Sequence, residues 1–495
     1  MNTDAYQQLC QIFRRISRFD HLSAVAGWDM QTMMPAGGSR ARGEALAELS
    51  VLRHQLLTGK QVGELLSAAQ QQSLNEDERA SLYEMTRQWQ QASLLPDELV
   101  EAKAIAGSEC EHAWRTQRPA NDWRGFSANL RKVVALSRRE AQIRASASGT
   151  SPYDALLGLY EPGMTRQTLD PVFADLKQWL PGLLQQVVSK QSQALPLQPE
   201  GIFPQVAQKQ LGLQVMALLG FDFNHGRLDV SAHPFCGGVP DDVRITTRYD
   251  EKLFLSALMG VIHETGHARY EQNLPRRFAG LPVAQARSTA IHESQSLLLE
   301  MQLARSPGFL QLIQPLVAET FGSQPALETD NFIRLAQQVK PGVIRVDADE
   351  VSYPAHVMLR YEIEQALIDG IIEVEDIPAL WDEKMHHYLG LDTRGNFKDG
   401  CMQDIHWTDG SFGYFPTYTL GAMYAAQLFA SAHQQLPSLG EQISRGDLQP
   451  LFGWLEKNIW QHGSRLSTSE LITKATGEGL NSQFFRRHLE KRYLG

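Results

Sequence analysis

The chain has 495 residues, 43% of them hydrophobic, and a formal net charge of −10. That is enough apolar content for a large core, and the acidic balance argues against nucleic acid and anionic membrane as partners. The start Met1-Asn2-Thr3-Asp4-Ala5-Tyr6 lacks the basic-then-apolar blocks of a secretory leader, no apolar run reaches the roughly 18 residues of a membrane helix, and Cys10, Cys110, Cys236 and Cys401 form no C-x-x-C pair, so a reduced, cytoplasmic protein is expected.

Helical periodicity dominates. Leu9, Ile12, Phe13, Ile16, Phe19 and Leu22 recur at spacings of three and four, an amphipathic helix. Residues 40–72, 75–117 and 122–148, rich in Ala, Leu, Glu, Gln and Arg, read the same way, as does 205–219. Breaks fall at Pro35-Ala36-Gly37-Gly38, Gly149-Thr150-Ser151-Pro152 and Leu195-Pro196-Leu197-Gln198-Pro199. The period then changes to two over Gly226-Arg227-Leu228-Asp229-Val230 and Val243-Arg244-Ile245-Thr246-Thr247-Arg248-Tyr249, which predicts a hairpin or a three-stranded sheet. Such an edge can add an extended peptide as a further strand, or can simply brace the fold.

Next comes an apolar run from Leu253 to Ile262, read as a buried helix, that ends in His263-Glu264-Thr265-Gly266-His267. Histidines four apart on a helix share one face, so both rings can reach one metal ion. Glu264 lies beside them, where its carboxylate can take the proton of an attacking water, the arrangement of H-E-x-x-H zinc peptidases. The extended H-E-x-x-H-x-x-G-x-x-H form is excluded by Tyr270 and Asn273, and the inverted H-x-x-E-H form is absent. A catalytic zinc takes three protein ligands, and the third candidate is Glu293, thirty residues after His263 (293 − 263), leading into Leu297-Leu298-Leu299-Glu300-Met301. Asn273-Leu274-Pro275 and Ala279-Gly280-Leu281-Pro282 separate the two helices.

In chain order, Trp28-Asp29-x-Gln31-Thr32-x-x-Pro35, His233-Pro234-Phe235, Asp242-x-Arg244-x-Thr246, His263-Glu264-x-x-His267, His292-Glu293-Ser294-Gln295, Ile344-Arg345-x-x-Ala348-Asp349 and Gly400-x-x-Gln403-Asp404-x-His406-Trp407 resemble the blocks of the M32 metallocarboxypeptidases, the carboxypeptidase Taq type. The resemblance runs from residue 28 to about 424. It implies a mainly α, two-lobed zinc peptidase with a deep central groove and a small β-sheet beside the metal helix, similar in architecture to neurolysin and angiotensin-converting enzyme. It also implies homodimers and release of single amino acids from peptide C-termini. On this reading 1–495 is one peptidase unit: 1–200 a mainly helical lobe and groove cover, 201–424 the metal- and substrate-binding core, 425–495 C-terminal helices.

Roles follow from the chemistry of amide hydrolysis, which needs a base, an acid and donors for the oxyanion. Glu264 is the base and later the acid. His233 and His406 are candidate donors, and Tyr418 is the candidate phenol, with Tyr414 close behind. A terminal carboxylate is best read by a guanidinium fork, which nominates Arg345 first and Arg244 second; ion pairs with Asp347, Asp349 or Asp242 are the structural alternative. His292 and Asp404 are candidates to orient Glu293 and His406 from behind. Zinc is the expected cofactor, with cobalt left open by the shared ligand types. An oligopeptidase cutting internal bonds would share this centre, and a non-catalytic peptide-binding relative would not need Glu264.

Overall fold

The N-terminal periodicity folds as one long helix, Ala5–Thr32, with Asp4 as its cap, its carboxylate accepting from the Tyr6 N–H at 3.0 Å. The computed structural model describes residues 4–495; Met1, Asn2 and Thr3, part of the stretch read for a leader, lie outside them. Two of the long helical stretches divide. Residues 40–72 form Ser39–Thr58 and Lys60–Ala69, parted by an extended Gly59. Residues 75–117 form Glu76–Ser93 and Asp97–Gln117, because Pro96 drives its predecessor out of the helical region and starts the next helix. The third stretch is the single helix Trp123–Ser148, capped by Asp122 and stopped by Gly149 in the left-handed region.

The chain forms two compact units, each drawn from three separate stretches: Met1–Ser93, Pro196–Gln337 and Tyr424–Asn481 in one; Leu94–Leu195, Gln338–Met423 and Ser482–Gly495 in the other.

The first unit contains the sheet. Strands β1 (Gly226–Val230), β2 (Cys236–Val239) and β3 (Asp242–Thr247) lie in the order β1-β3-β2. β1 runs parallel to β3, and β2 and β3 make the hairpin. Leu228, Val243 and Ile245 bury one face of the sheet with Met216, Phe221, Val261 and Ala268. That core seats the Phe254–Gln272 helix on the sheet and on the Gln205–Leu218 helix. A second core joins Leu9 and Phe13 to Leu66, Met85, Leu281 and Val283.

The second unit is built around the Tyr353–Ile368 helix, whose buried residues include Arg360 and Glu364 as well as its apolar positions. Tyr361 stacks on Phe173 with ring centroids 4.5 Å apart, and the Arg360 guanidinium lies 4.4 Å from the Trp381 ring. The C-terminal helix Gln483–Tyr493 is fastened to buried Glu350 by His488 Nε2 at 2.6 Å, the Tyr493 hydroxyl at 2.9 Å and Arg492 Nη1 at 3.0 Å. Among the described residues no helix is long and apolar enough to cross a membrane.

Candidate functional site

Metal-type donors meet where two helices of the first unit touch. His263 and His267 stand one turn apart on Phe254–Gln272, and Glu293 projects from Thr289–Leu297. The contact is close because position 266 is glycine: a Cβ there would lie 2.5 Å from both the Gln295 carbonyl oxygen and Ser296 Cα. His263 Nε2 is 4.0 Å and His267 Nε2 3.4 Å from Glu293 Oε2, and one donor atom from each of the three residues lies within 4.8 Å of the others. Ligand atoms about 2.0–2.2 Å from a shared tetrahedral ion sit roughly 3.3–3.6 Å apart, so the donor set fits a divalent metal with little adjustment.

The electrostatics point the same way. Burial disfavours charge on His263, but Glu293, Glu300 and Glu264 hold its pKa up, to about 10. Burial takes His267 down to about 4, helped by the charges of His292 and His263. Burial also opposes the charge of Glu293, yet His263 and His267 hold it down at about 2. Three carboxylates facing one imidazole make a field that favours a cation. Glu264 is buried between the ligand histidines. Burial pushes its pKa up to about 7, with Glu293 adding to the rise and His263 opposing it. Its Oε2 has no hydrogen-bond partner among the described residues. A buried carboxylate oxygen left unpaired is costly unless something meets it there.

The other candidates of the first unit occupy the sheet and its approach. His233 is exposed on the loop before β2. Arg244 on β3 donates to both oxygens of Asp242, at 2.9 and 2.8 Å, and its guanidinium lies 4.4 Å from the Trp28 ring. Arg227 lies over the same ring at 4.9 Å, so the two arginines tie the N-terminal helix to the sheet through Trp28. His292 Nδ1 faces His267 Nδ1 at 2.6 Å, placing this neighbour of Glu293 behind a histidine rather than behind the carboxylate.

In the second unit, Arg345, Asp404, His406 and Tyr418 gather around the Tyr353–Ile368 helix. Arg345 starts a short 3-10 turn, Arg345–Asp347, and is 5% exposed. Its backbone N–H donates to Gln403 Oε1 at 2.7 Å, while Gln403 Nε2 donates to the Val343 carbonyl at 2.9 Å, so the two sequence blocks clasp each other. Arg345 Nε donates to Asp404 Oδ1 at 2.8 Å and its Nη1 to the Tyr353 hydroxyl at 2.5 Å. Asp404 Oδ2 accepts from Arg360 Nε at 2.7 Å. Asp404 therefore serves two arginines rather than His406, and one carboxylate against two guanidiniums leaves the cluster positive. His406 is kept neutral, its pKa lowered to about 4 by burial and by Arg345 and Arg360, against the pull of Asp404. Its Nε2 lies 3.3 Å from the Tyr418 hydroxyl. Tyr414 packs edge-on against Tyr418, with ring centroids 5.3 Å apart.

Four partners were not read from the sequence. Glu300, alone in an apolar run, faces His263, and Glu271 faces His292. Arg360 and Glu364, one helical turn apart, hold the loop that carries His406. Arg360 takes Asp404, and Glu364 accepts from Trp407 Nε1 at 2.8 Å and from the Gly413 N–H at 3.0 Å. For Glu300 the one signal was a charge inside an apolar run; Glu271, among Arg269, Gln272 and Asn273, had none.

The sequence profile of the Carboxypeptidase Taq (M32) metallopeptidase family matches residues 8–493. The chain is 40% identical to thermostable carboxypeptidase 1 of Thermus thermophilus, with 99% of this chain and 98% of that protein covered. It is 36% identical to carboxypeptidase 1 of Bacillus subtilis, over 98% of this chain and 97% of that protein. Among solved structures, Trypanosoma cruzi metallocarboxypeptidase 1 superposes with a TM-score of 0.98 at 48% identity, covering 99% of each chain. Pyrococcus furiosus carboxypeptidase superposes with a TM-score of 0.95 at 32% identity, covering 100% of this chain and 99% of that one.

Proposed function

The chain belongs to the M32 family of metallocarboxypeptidases, and from that premise we propose that His263, His267 and Glu293 hold its divalent ion and that Glu264 is its general base. It is a peptide hydrolase that depends on a metal. The observation that carries the assignment is one cluster: three donor atoms within 4.8 Å of one another beside a buried carboxylate oxygen that has no partner among the described residues. Two imidazoles and a carboxylate make a zinc-type set, which cobalt would also accept.

When bound there, the ion supplies Lewis acidity to the scissile carbonyl and to water. Glu264 takes the proton from the attacking water on its carboxylate and returns it to the departing amine. His406 and Tyr418 donate to the developing oxyanion. Neutral His406 needs no desolvated charge for this, and its contact with the Tyr418 hydroxyl favours Tyr418 over Tyr414. His233, exposed on its loop, is a donor to the substrate backbone. Arg345 reads the terminal carboxylate. Its cluster with Arg360 and Asp404 has one positive charge in excess, whereas Arg244 is matched oxygen for oxygen by Asp242. The free state of the four cysteines supports a cytoplasmic setting, and the family resemblance supports a homodimer in which each chain is one peptidase unit.

One digestion tests the activity. A peptide with a free C-terminus should lose single amino acids in order, by mass spectrometry, and its C-terminally amidated twin should stay intact. Internal fragments from the amidated peptide would replace this reading with an oligopeptidase. Sedimentation of the purified chain should give twice the monomer mass.

A further inference from the structure

The two ligand histidines are held from behind in chemically different ways. His263 Nδ1 lies 3.0 Å from Glu300 Oε2, and Glu300 Oε1 accepts from Arg305 Nη2 at 2.9 Å. His267 Nδ1 meets another imidazole, His292 Nδ1, at 2.6 Å, and His292 Nε2 meets Glu271 Oε1 at 2.8 Å. Proton positions follow. An ionised carboxylate only accepts, so the proton between His263 and Glu300 is on Nδ1. Glu271 Oε1 likewise accepts from His292 Nε2–H, so a carboxylate backs the second pair as well, but through an intervening ring. Both ligand rings thus keep Nε2 on the side of Glu293.

Glu300 owes its place to the backbone. Behind Thr289–Leu297 the chain widens into a π-helix, Leu298–Ala304, in a run that is otherwise apolar or amide-bearing. Wide turns of this kind are rare and concentrate at functional sites. Here one continuous segment sends Glu293 to the Nε2 side of His263 and Glu300 to the Nδ1 side of the same ring.

We infer that Glu300 is the positioning residue of the metal centre: it accepts from His263 Nδ1, turns Nε2 of the same ring toward Glu293, and so sets how tightly the ion is held. The inference rests on the proposed ligand set. It also ranks the two braces. Glu300 meets its ligand ring directly with a carboxylate, the stronger kind of hydrogen bond, whereas Glu271 reaches His267 only through His292, so Glu300 should matter more to affinity than His292 does.

The test titrates metal-free protein with Zn²⁺ against a chromophoric chelator, in wild type, Glu300→Ala, Glu300→Gln and His263→Ala. The absorption spectrum of each Co²⁺-loaded protein is recorded as well. Glu300→Ala should weaken Zn²⁺ binding roughly ten- to a hundredfold and shift the Co²⁺ bands. Glu300→Gln, whose amide oxygen still accepts from Nδ1–H, should weaken it less, and it carries the test if the alanine variant does not fold. A Glu300–Arg305 pair that serves only packing would leave affinity and spectrum alone. Zn²⁺ affinity within about twofold of wild type in the Glu300 variants, while His263→Ala binds none, overturns the inference and leaves the ligand set standing. Wild-type affinity in His263→Ala overturns the ligand set and the inference with it.

Discussion

An isosteric amide at position 264 separates holding the metal from using it. Gln keeps the shape and burial of Glu264 but cannot take a proton from water, so Glu264→Gln should retain a full equivalent of metal by elemental analysis and lose roughly 10²–10⁴ in kcat. Activity within a few-fold of wild type would remove Glu264 from the base role. Arg345 is a test of recognition rather than chemistry. A charge-assisted pair with a terminal carboxylate is worth on the order of 1.5–3 kcal/mol, so Arg345→Ala should lower kcat/KM about ten- to a hundredfold on free peptides. Lysine should restore only part of this, because it lacks the fork. On amidated peptides the two enzymes should be equally poor. If instead Arg244→Ala is the damaging change and Arg345→Ala is silent, the two arginines exchange roles. At this scale the sequence was most readable where spacing alone makes the geometry, as for His263 and His267. It was least readable where the partner comes from another element: nothing local pairs Arg345 with Asp404, fifty-nine residues away (404 − 345).

Elements show the same division. Helix content was visible in the apolar spacing, and the strands in their alternation. The Tyr353–Ile368 helix did not stand out, because a helix buried nearly all round has no apolar stripe to count. Gly266 reads as a weak point in a helix, and its reason, the backbone of Gln295 and Ser296 against it, lies on another helix. The C-terminal helix gives this scale its prediction. Burial would raise the pKa of Glu350, but His488 and Arg492, with the Tyr493 hydroxyl, bring it from an ordinary 4.5 to about 2. A folded-state pKa below the unfolded one means stability that is fully present above about pH 4.5 and lost as the pH falls toward 2. Removing one partner of a buried ion pair costs on the order of 3 kcal/mol. Glu350→Gln should therefore melt well below wild type at pH 7, and the gap should close progressively between pH 4.5 and 2. A gap that stays constant across that window would assign the loss to packing and not to charge.

At the scale of the whole molecule, the two compact units alternate along the chain, an arrangement no local pattern displays, since the stretches of each are separated by 58 (424–481) to 142 (196–337) residues of the other. The functional residues divide with them. His263, His267, Glu293 and Glu264 belong to the unit containing Pro196–Gln337, and Arg345, His406 and Tyr418 to the unit containing Gln338–Met423. Metal binding is linked to folding only through the state that presents the ligands, and adds about 2.7 kcal/mol when the free ion stands at a hundred times its dissociation constant. That energy should fall on the first unit alone. In hydrogen exchange followed by mass spectrometry, chelation should speed exchange in Phe254–Gln272 and Thr289–Leu297, whose close contact at Gly266 brings the donors together. The Tyr353–Ile368 helix, locked by Arg360 to Asp404 and by Glu364 to Trp407, should keep its protection. His263→Ala should show the fast pattern with and without added Zn²⁺. An equal loss of protection in both units on chelation would mean that the ion stabilises the chain as one cooperative body, and would defeat the assignment of its stabilising effect to the first unit.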